Sequence, residues 1–139
     1  MKAETKNTIF DRRPPKVRPP IRPGRPRPDA ELRMLLTCLE RHSDELSCLH
    51  SEANALGPDD TRALAYALHL AGEAAQAWLR TADRMCSTSA TNLLGLHAKA
   101  LAIVDARAVG ATGVPTQEIE RRLGLSIALD ILAMRGAVR

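Results

Sequence analysis

Cys38, His42 and Glu45 stand four and three residues apart, so a helix would carry all three on one face. Thiolate, imidazole and carboxylate are zinc-ligand groups, but a closed zinc site takes four ligands. No second pair stands at matching spacing, and His50, His69 and His97 are scattered. No Glu-x-x-His pair of the di-iron kind occurs either. We therefore read Cys38 as a packing thiol and His42 as its flanking group, with no metal. Serine and threonine are plentiful, yet no Gly-x-Ser-x-Gly nucleophile turn and no glycine-rich phosphate loop is present. The chain is read as non-enzymatic, with no cofactor.

Two stretches come nearer to chemistry. His69-Leu-Ala-Gly72 is similar to the phosphotransfer helix of histidine phosphotransfer domains, which use His-x-Leu-Lys-Gly; here the glycine comes one residue early and the lysine is absent. The stretch from Thr116 to Ser126, TQEIERRLGLS, resembles the first helix and turn of a helix-turn-helix. Ile119 and Leu123 would face inward, Gly124 would stand at the bend, and Ser126 would cap the next helix. Against it, the position that must be small for the helices to pack is Glu120. The would-be recognition helix opens with Ile127 and Ala128 and then offers Asp130, whereas a reading helix needs polar or basic groups near its start. One continuous helix through Gly124 is the competing reading, at a cost of about 1 kcal/mol relative to alanine.

The strongest contrast in the chain is of charge. Residues 1–28 hold seven of the nine prolines and nine Lys/Arg against two acids, a net charge of +7. Residues 29–139 hold eleven Lys/Arg against fourteen acids, a net charge of −3. Proline removes backbone donors and disfavours helix before it, and like charges oppose collapse. Residues 1–28 are thus predicted to be a disordered basic arm with polyproline II bias. Arg12, Arg13, Lys16, Arg18, Arg22, Arg25 and Arg27 are its candidate polyanion-binding groups. Pro20-Ile-Arg-Pro-Gly-Arg25 also fits a PxxPxR ligand for SH3-type grooves, a match that composition nearly forces. Only Phe10, Tyr66 and Trp78 are aromatic, too few for stacking on single-stranded bases.

The remainder is patterned for helices, with no strand-like alternation. Leu35, Leu39, Leu46, Leu49, Ala53 and Leu56 form one stripe, with His42 filling its gap, behind Asp29 and Glu31 in a first turn. Gly57-Pro58 ends this helix, with a left-handed glycine cap expected. Asp59 or Asp60 is expected to cap a second helix with Leu64, Leu68, Ala71, Ala75, Trp78, Ala82 and Met85 on its seam. CSTSATN is a turn rich in capping groups. A third helix from about Ala90 to Val109 aligns Leu94, His97, Leu101, Val104 and Ala108, with His97 as a partly buried neutral imidazole. Pro115 suits a first helical turn. The last helix, about Thr116 to Met134, is apolar on two faces and is expected to be the most buried. Leu39, Leu68 and Leu101 are the leucines expected in the core, and the two longer first helices should project beyond the second pair.

The paired segments ATNLLGLHAKA (90–100) and RLGLSIALDI (122–131) resemble small helical proteins of alphaproteobacteria that have an ATTxxGLxAKA-like segment before a final LALSLARDLL-like helix. The resemblance covers about Asp29 to Met134, leaves out the arm, implies a continuous last helix, and implies no activity. The expectation is an all-α protein: an antiparallel four-helix bundle (29–139) behind a disordered basic Pro/Arg-rich arm (1–28). No apolar stretch is long enough to span a bilayer, no signal peptide is expected, and three cysteines without metal spacing fit a reducing cytoplasm. The function expected is that of an interaction or adaptor protein. Its partners would be a protein, which includes a second copy of itself, and nonspecific nucleic acid or another acidic surface at the arm. The alternative is a DNA-binding accessory or regulatory protein using the arm and a helix-turn-helix at 116–134.

Overall fold

The computed structural model describes residues 28–137. Four helices follow in order: α1 (Pro28–Ala55), α2 (Thr61–Ser87), α3 (Leu93–Gly110) and α4 (Gln117–Ala137). No strand occurs among the described residues, and no helix among them is long and apolar enough to cross a membrane. The expected disorder of residues 1–28 falls outside the described residues, apart from Pro28.

Consecutive helices run in opposite directions, as ion pairs between them record. Arg84 near the end of α2 meets Glu31 at the start of α1 at 2.9 Å, and Arg107 of α3 meets Glu120 of α4 at 3.2 Å. The helices close in the order α1, α2, α4, α3, so α1 lies parallel to α3 and α2 parallel to α4. The turn 88–92 therefore crosses the diagonal. The backbones of α2 and α3 come close at few points, and those of α1 and α4 at none, among the described residues. Helices of 28 and 27 residues span about 40 Å and those of 18 and 21 about 30 Å. Thr112, Gly113 and Val114 of the α3–α4 turn line a small pocket with Leu46, His50, Leu68, Ala71, Gly72 and Ala75, short of the Gly57-Pro58 turn of the first hairpin.

The core is built from leucine on α1, mostly alanine on α2 and α3, and Ile119 and Leu123 on α4. Leu32, Leu39, Leu46 and Leu49 are buried on α1, with Leu35 packed beside them. On α2 the buried line is Ala67, Ala71, Ala74, Trp78, Ala82 and Met85. On α3 it is Gly95, Ala98, Lys99, Ala102, Ala106 and Val109. Trp78 is fully buried at the centre, and its indole N–H donates to Asp105 Oδ2 at 2.8 Å across the diagonal. A buried indole needs such an acceptor.

Several expectations are overturned. The large side chains aligned on α3, Leu94, Leu101 and Val104, point to solvent, and so does His97. The reason is steric: α3 approaches its neighbours through glycine and alanine, and a Leu-bearing face would hold them apart. Leu68 is 49% and Leu101 36% exposed, so neither is core. Helix α4 buries Ile119 and Leu123 but exposes Leu125, Leu129, Ile131 and Leu132, so it is not the most buried helix. Among the described residues only Gly113 has a positive φ, so Gly57 is not a left-handed cap. Instead Gly57 N–H donates to Asp60 Oδ2 at 3.1 Å, which draws that carboxylate away from the start of α2, where it makes no capping bond. Helix α3 starts three residues late, because the N–H groups of Ala90, Thr91 and Asn92 all serve side-chain carboxylates.

Truncating buried leucine costs about 2 to 5 kcal/mol, so we expect Leu39→Ala to fall in that range in denaturant unfolding. Leu68→Ala and Leu101→Ala should each cost less than half as much as Leu39→Ala. Equal losses at all three positions would contradict this packing.

Candidate functional site

The arm's candidate polyanion groups, Arg12, Arg13, Lys16, Arg18, Arg22, Arg25 and Arg27, lie outside the described residues. Its root does not. Asp29, in the first turn of α1, is buried, and its carboxylate is turned onto the entrance of α3. It accepts from Thr91 N–H at 2.9 Å, Asn92 N–H at 3.3 Å and the Thr91 hydroxyl. These donors precede the first helical bonds of α3, where a negative charge is favoured. Burial opposes ionisation of Asp29, but the hydrogen bonds from Thr91 and Asn92 outweigh it and hold the carboxyl below its usual range. Asn92 caps α3 itself, accepting from Gly95 N–H at 3.1 Å. Gly95 is held to glycine by proximity: a Cβ there would strike the Asp29 carboxylate and stand 2.9 Å from Ala90 Cβ. The arm thus joins the bundle at a point clamped to α3.

A second buried polar cluster ties three helices together. Lys99 is fully buried; its ammonium donates to Asp130 Oδ2 at 2.5 Å and to Ser126 Oγ at 2.6 Å. Asp130 Oδ2 also accepts from Ala90 N–H at 3.1 Å, and Ser126 Oγ donates to the Cys86 carbonyl at 2.9 Å. Serine beside lysine is the pair that some hydrolases use. There the lysine must accept the serine's proton. Here Lys99 donates to Ser126 and is bonded to a carboxylate, while the serine proton points at a backbone carbonyl. As arranged, the cluster is a structural lock and not an activated nucleophile. The adjacent Cys86 thiol is pushed up by burial, against the opposing influence of Arg122 and Lys99, and so is not activated as a thiolate.

The other residues singled out in the sequence do not converge. Among the described residues no three His, Cys, Asp or Glu side chains come together as a metal would need, and Cys38, His42 and Glu45 form no such group. His69 is exposed and meets only Glu73, at 3.6 Å. His97 lies on an open groove between α1 and α3 with Arg33, Met34 and Leu94. The helix-turn-helix reading of 116–134 is corrected: α4 runs unbroken from Gln117 to Ala137, and Gly124 lies within it. The basic pair at its start is already engaged, Arg121 with Glu118 at 2.5 Å and Arg122 with Asp83 at 2.6 Å.

Sequence reasoning passed over Lys99 and Asp130 as partners, although a signal was present. Lys99 is the only formal charge between Ala90 and Val104, and Asp130 the only one between Leu123 and Met134. Two lone opposite charges in apolar helices call for each other, since neither is buried cheaply alone.

The Asp29 clamp gives a signed pH dependence. Its native pKa is lowered, so its stabilisation is complete above the ordinary carboxylate value, about 4, and is lost as pH falls through the lowered one. We expect Asp29→Asn to melt below the native chain at neutral pH, with the gap closing below about pH 4. Melting curves across that range check it, and a gap that widens in acid would contradict it. Compared with family models, curated proteins and solved structures, the chain matches none.

Proposed function

We propose that the protein is a non-enzymatic, cytosolic interaction module: a helical bundle that presents a basic arm to an acidic partner or polyanion. The observation that carries this reading is the segregation of charge, +7 in residues 1–28 against −3 in the rest. The root of the arm supports it, because Asp29 is fixed to α3 by three hydrogen bonds, so the arm's charge is tethered to one end of the bundle. Nine cations in 28 residues displace counterions from phosphates, whereas the negative body is repelled by them. The polar clusters described above spend their donors and acceptors on one another, which fits a scaffold better than a reaction centre.

The rival reading, a DNA-binding accessory protein, is left with the arm alone. Arg121 and Arg122 are held in ion pairs, and α4 shows solvent leucine where a reading helix needs polar groups.

Binding of the full chain to duplex DNA tests both. Affinity should fall with salt at a slope of about −0.9 per phosphate neutralised, and scrambling the DNA sequence should change little. Neutralising Arg18, Arg22, Arg25 and Arg27 together should nearly abolish binding, while Arg121→Ala and Arg122→Ala should not. A strong preference for one duplex that needs Arg121 or Arg122 would overturn the reading, and so would salt-dependent binding that survives neutralisation of the arm.

A further inference from the structure

We infer that residues 12–21 of the arm fold back and lie along the groove between α1 and α3 of their own chain. This goes beyond the function proposed above, since it says where the arm rests when no polyanion holds it. The groove is open and about 800 Å³ in volume. Ala30, Arg33, Met34 and Thr37 of α1 line one side, with Leu94 and His97 of α3 on the other. Its apolar content faces solvent, with Met34 60% and Leu94 57% exposed. The arm enters at the end of this groove, because Pro28 is the first residue of α1 and Ala30 already lines it.

The sequence of the arm supplies a shape that fits. Polyproline II repeats every third residue, so Pro14, Val17 and Pro20 fall on one wholly apolar ridge. Arg13 and Lys16 stand on a second ridge, and Arg12 and Arg18 on the third. Further on, Pro23-Gly24 is the pair favoured at the centre of a type II turn, which reverses the chain. That turn sets Pro19 opposite Pro28, and the register follows. At about 3.1 Å per residue, Val17 lies about 6 Å beyond Pro28, and Arg12 and Arg13 about 20 Å. Along α1, at about 1.5 Å per residue, Met34 lies about 9 Å beyond Pro28, and Glu40 and Asp44 about 18 and 24 Å. The apolar ridge therefore meets the apolar end of the groove, and the two arginines meet the two acids.

Charge and tethering select the arm over another occupant. Arg33, Thr37, Glu40 and Asp44 follow at steps of four, three and four, so they share one face of α1. Glu40 and Asp44 are exposed, and among the described residues neither is ion-paired. Arg33 is the one lysine or arginine lining the groove, and it stands level with the apolar ridge rather than with Arg12 and Arg13. A short linker holds its segment at about millimolar effective concentration, so even a weak contact is populated. A free partner of the same chemistry has no such advantage. The cations that would meet phosphates are thus held on the body until a polyanion competes for them.

The test is the methionine methyl NMR spectrum of the full chain, with the Met34 signal assigned by Met34→Leu. Val17→Asp should shift that signal, and Glu40→Gln combined with Asp44→Asn should shift it in the same direction. The signal of Met85, fully buried, should stay in place throughout and report an intact core. Adding duplex DNA to the native chain should move Met34 as Val17→Asp does. A Met34 signal that Val17→Asp leaves unmoved overturns the inference, and so does one that responds to Val17→Asp but not to loss of the two acids. A native signal that shifts on dilution puts the arm on a second copy and overturns it as well. A docked arm in a chain that binds no DNA sinks the function proposed above and leaves this inference standing; DNA binding with Met34 unmoved by Val17→Asp does the reverse.

Discussion

An ammonium and a carboxylate stand 2.5 Å apart inside this bundle, joining α4 to a helix α3 whose other buried residues are glycine, alanine and one valine. Taking either charge out of water alone would cost several kcal/mol, so each makes the other tolerable. The geometry they demand propagates. Lys99 of α3 must lie opposite Ser126 and Asp130 of α4, which fixes the register of that hairpin. Asp130 also holds Ala90 N–H in the turn that crosses the diagonal, and Ser126 holds the Cys86 carbonyl near the end of α2. One pair therefore sets where α2 ends, how the crossing turn lies and where α3 meets α4. The Asp29 clamp repeats the logic at the start of α1, with a carboxylate satisfying backbone donors that the late start of α3 leaves free.

The same arrangement explains the surface. Close approach around Lys99 and Trp78 requires small neighbours, and α3 supplies Gly95, Ala98, Ala102 and Ala106. Its leucines are then displaced outward, Leu94 onto the groove beside α1. The charge of residues 1–28, +7, joins this body at the Asp29 clamp.

The four helices and their order were legible in the sequence, because apolar spacing and the breaks at Gly57-Pro58 and Gly113 report local structure; the continuity of α4 through Gly124 was not, since the same residues also fit a helix-turn-helix. On α1 the buried side was legible as well, since leucine alone marks it. On α3 the buried side was not, and on α4 it was so only at Ile119 and Leu123. Spacing identifies a stripe but not which way it turns, and where alanine lines the interior the larger residues mislead. Lys99 failed to register because a charge is expected outside; its isolation among apolar residues was the available clue. The clamp between Asp29 and Thr91 joins residues 62 apart, a pairing no local pattern encodes.

The dependence of the fold on the Lys99–Asp130 pair is tested most directly by a double-mutant cycle in denaturant unfolding, with Lys99→Met, Asp130→Leu and the two combined. Each single change strands a buried charge and should cost about 3 to 5 kcal/mol. The double variant, with apolar groups of similar size in both places, should recover most of that loss. Single losses below about 1 kcal/mol, the level of a surface ion pair, or losses that simply add in the double variant, would contradict the account.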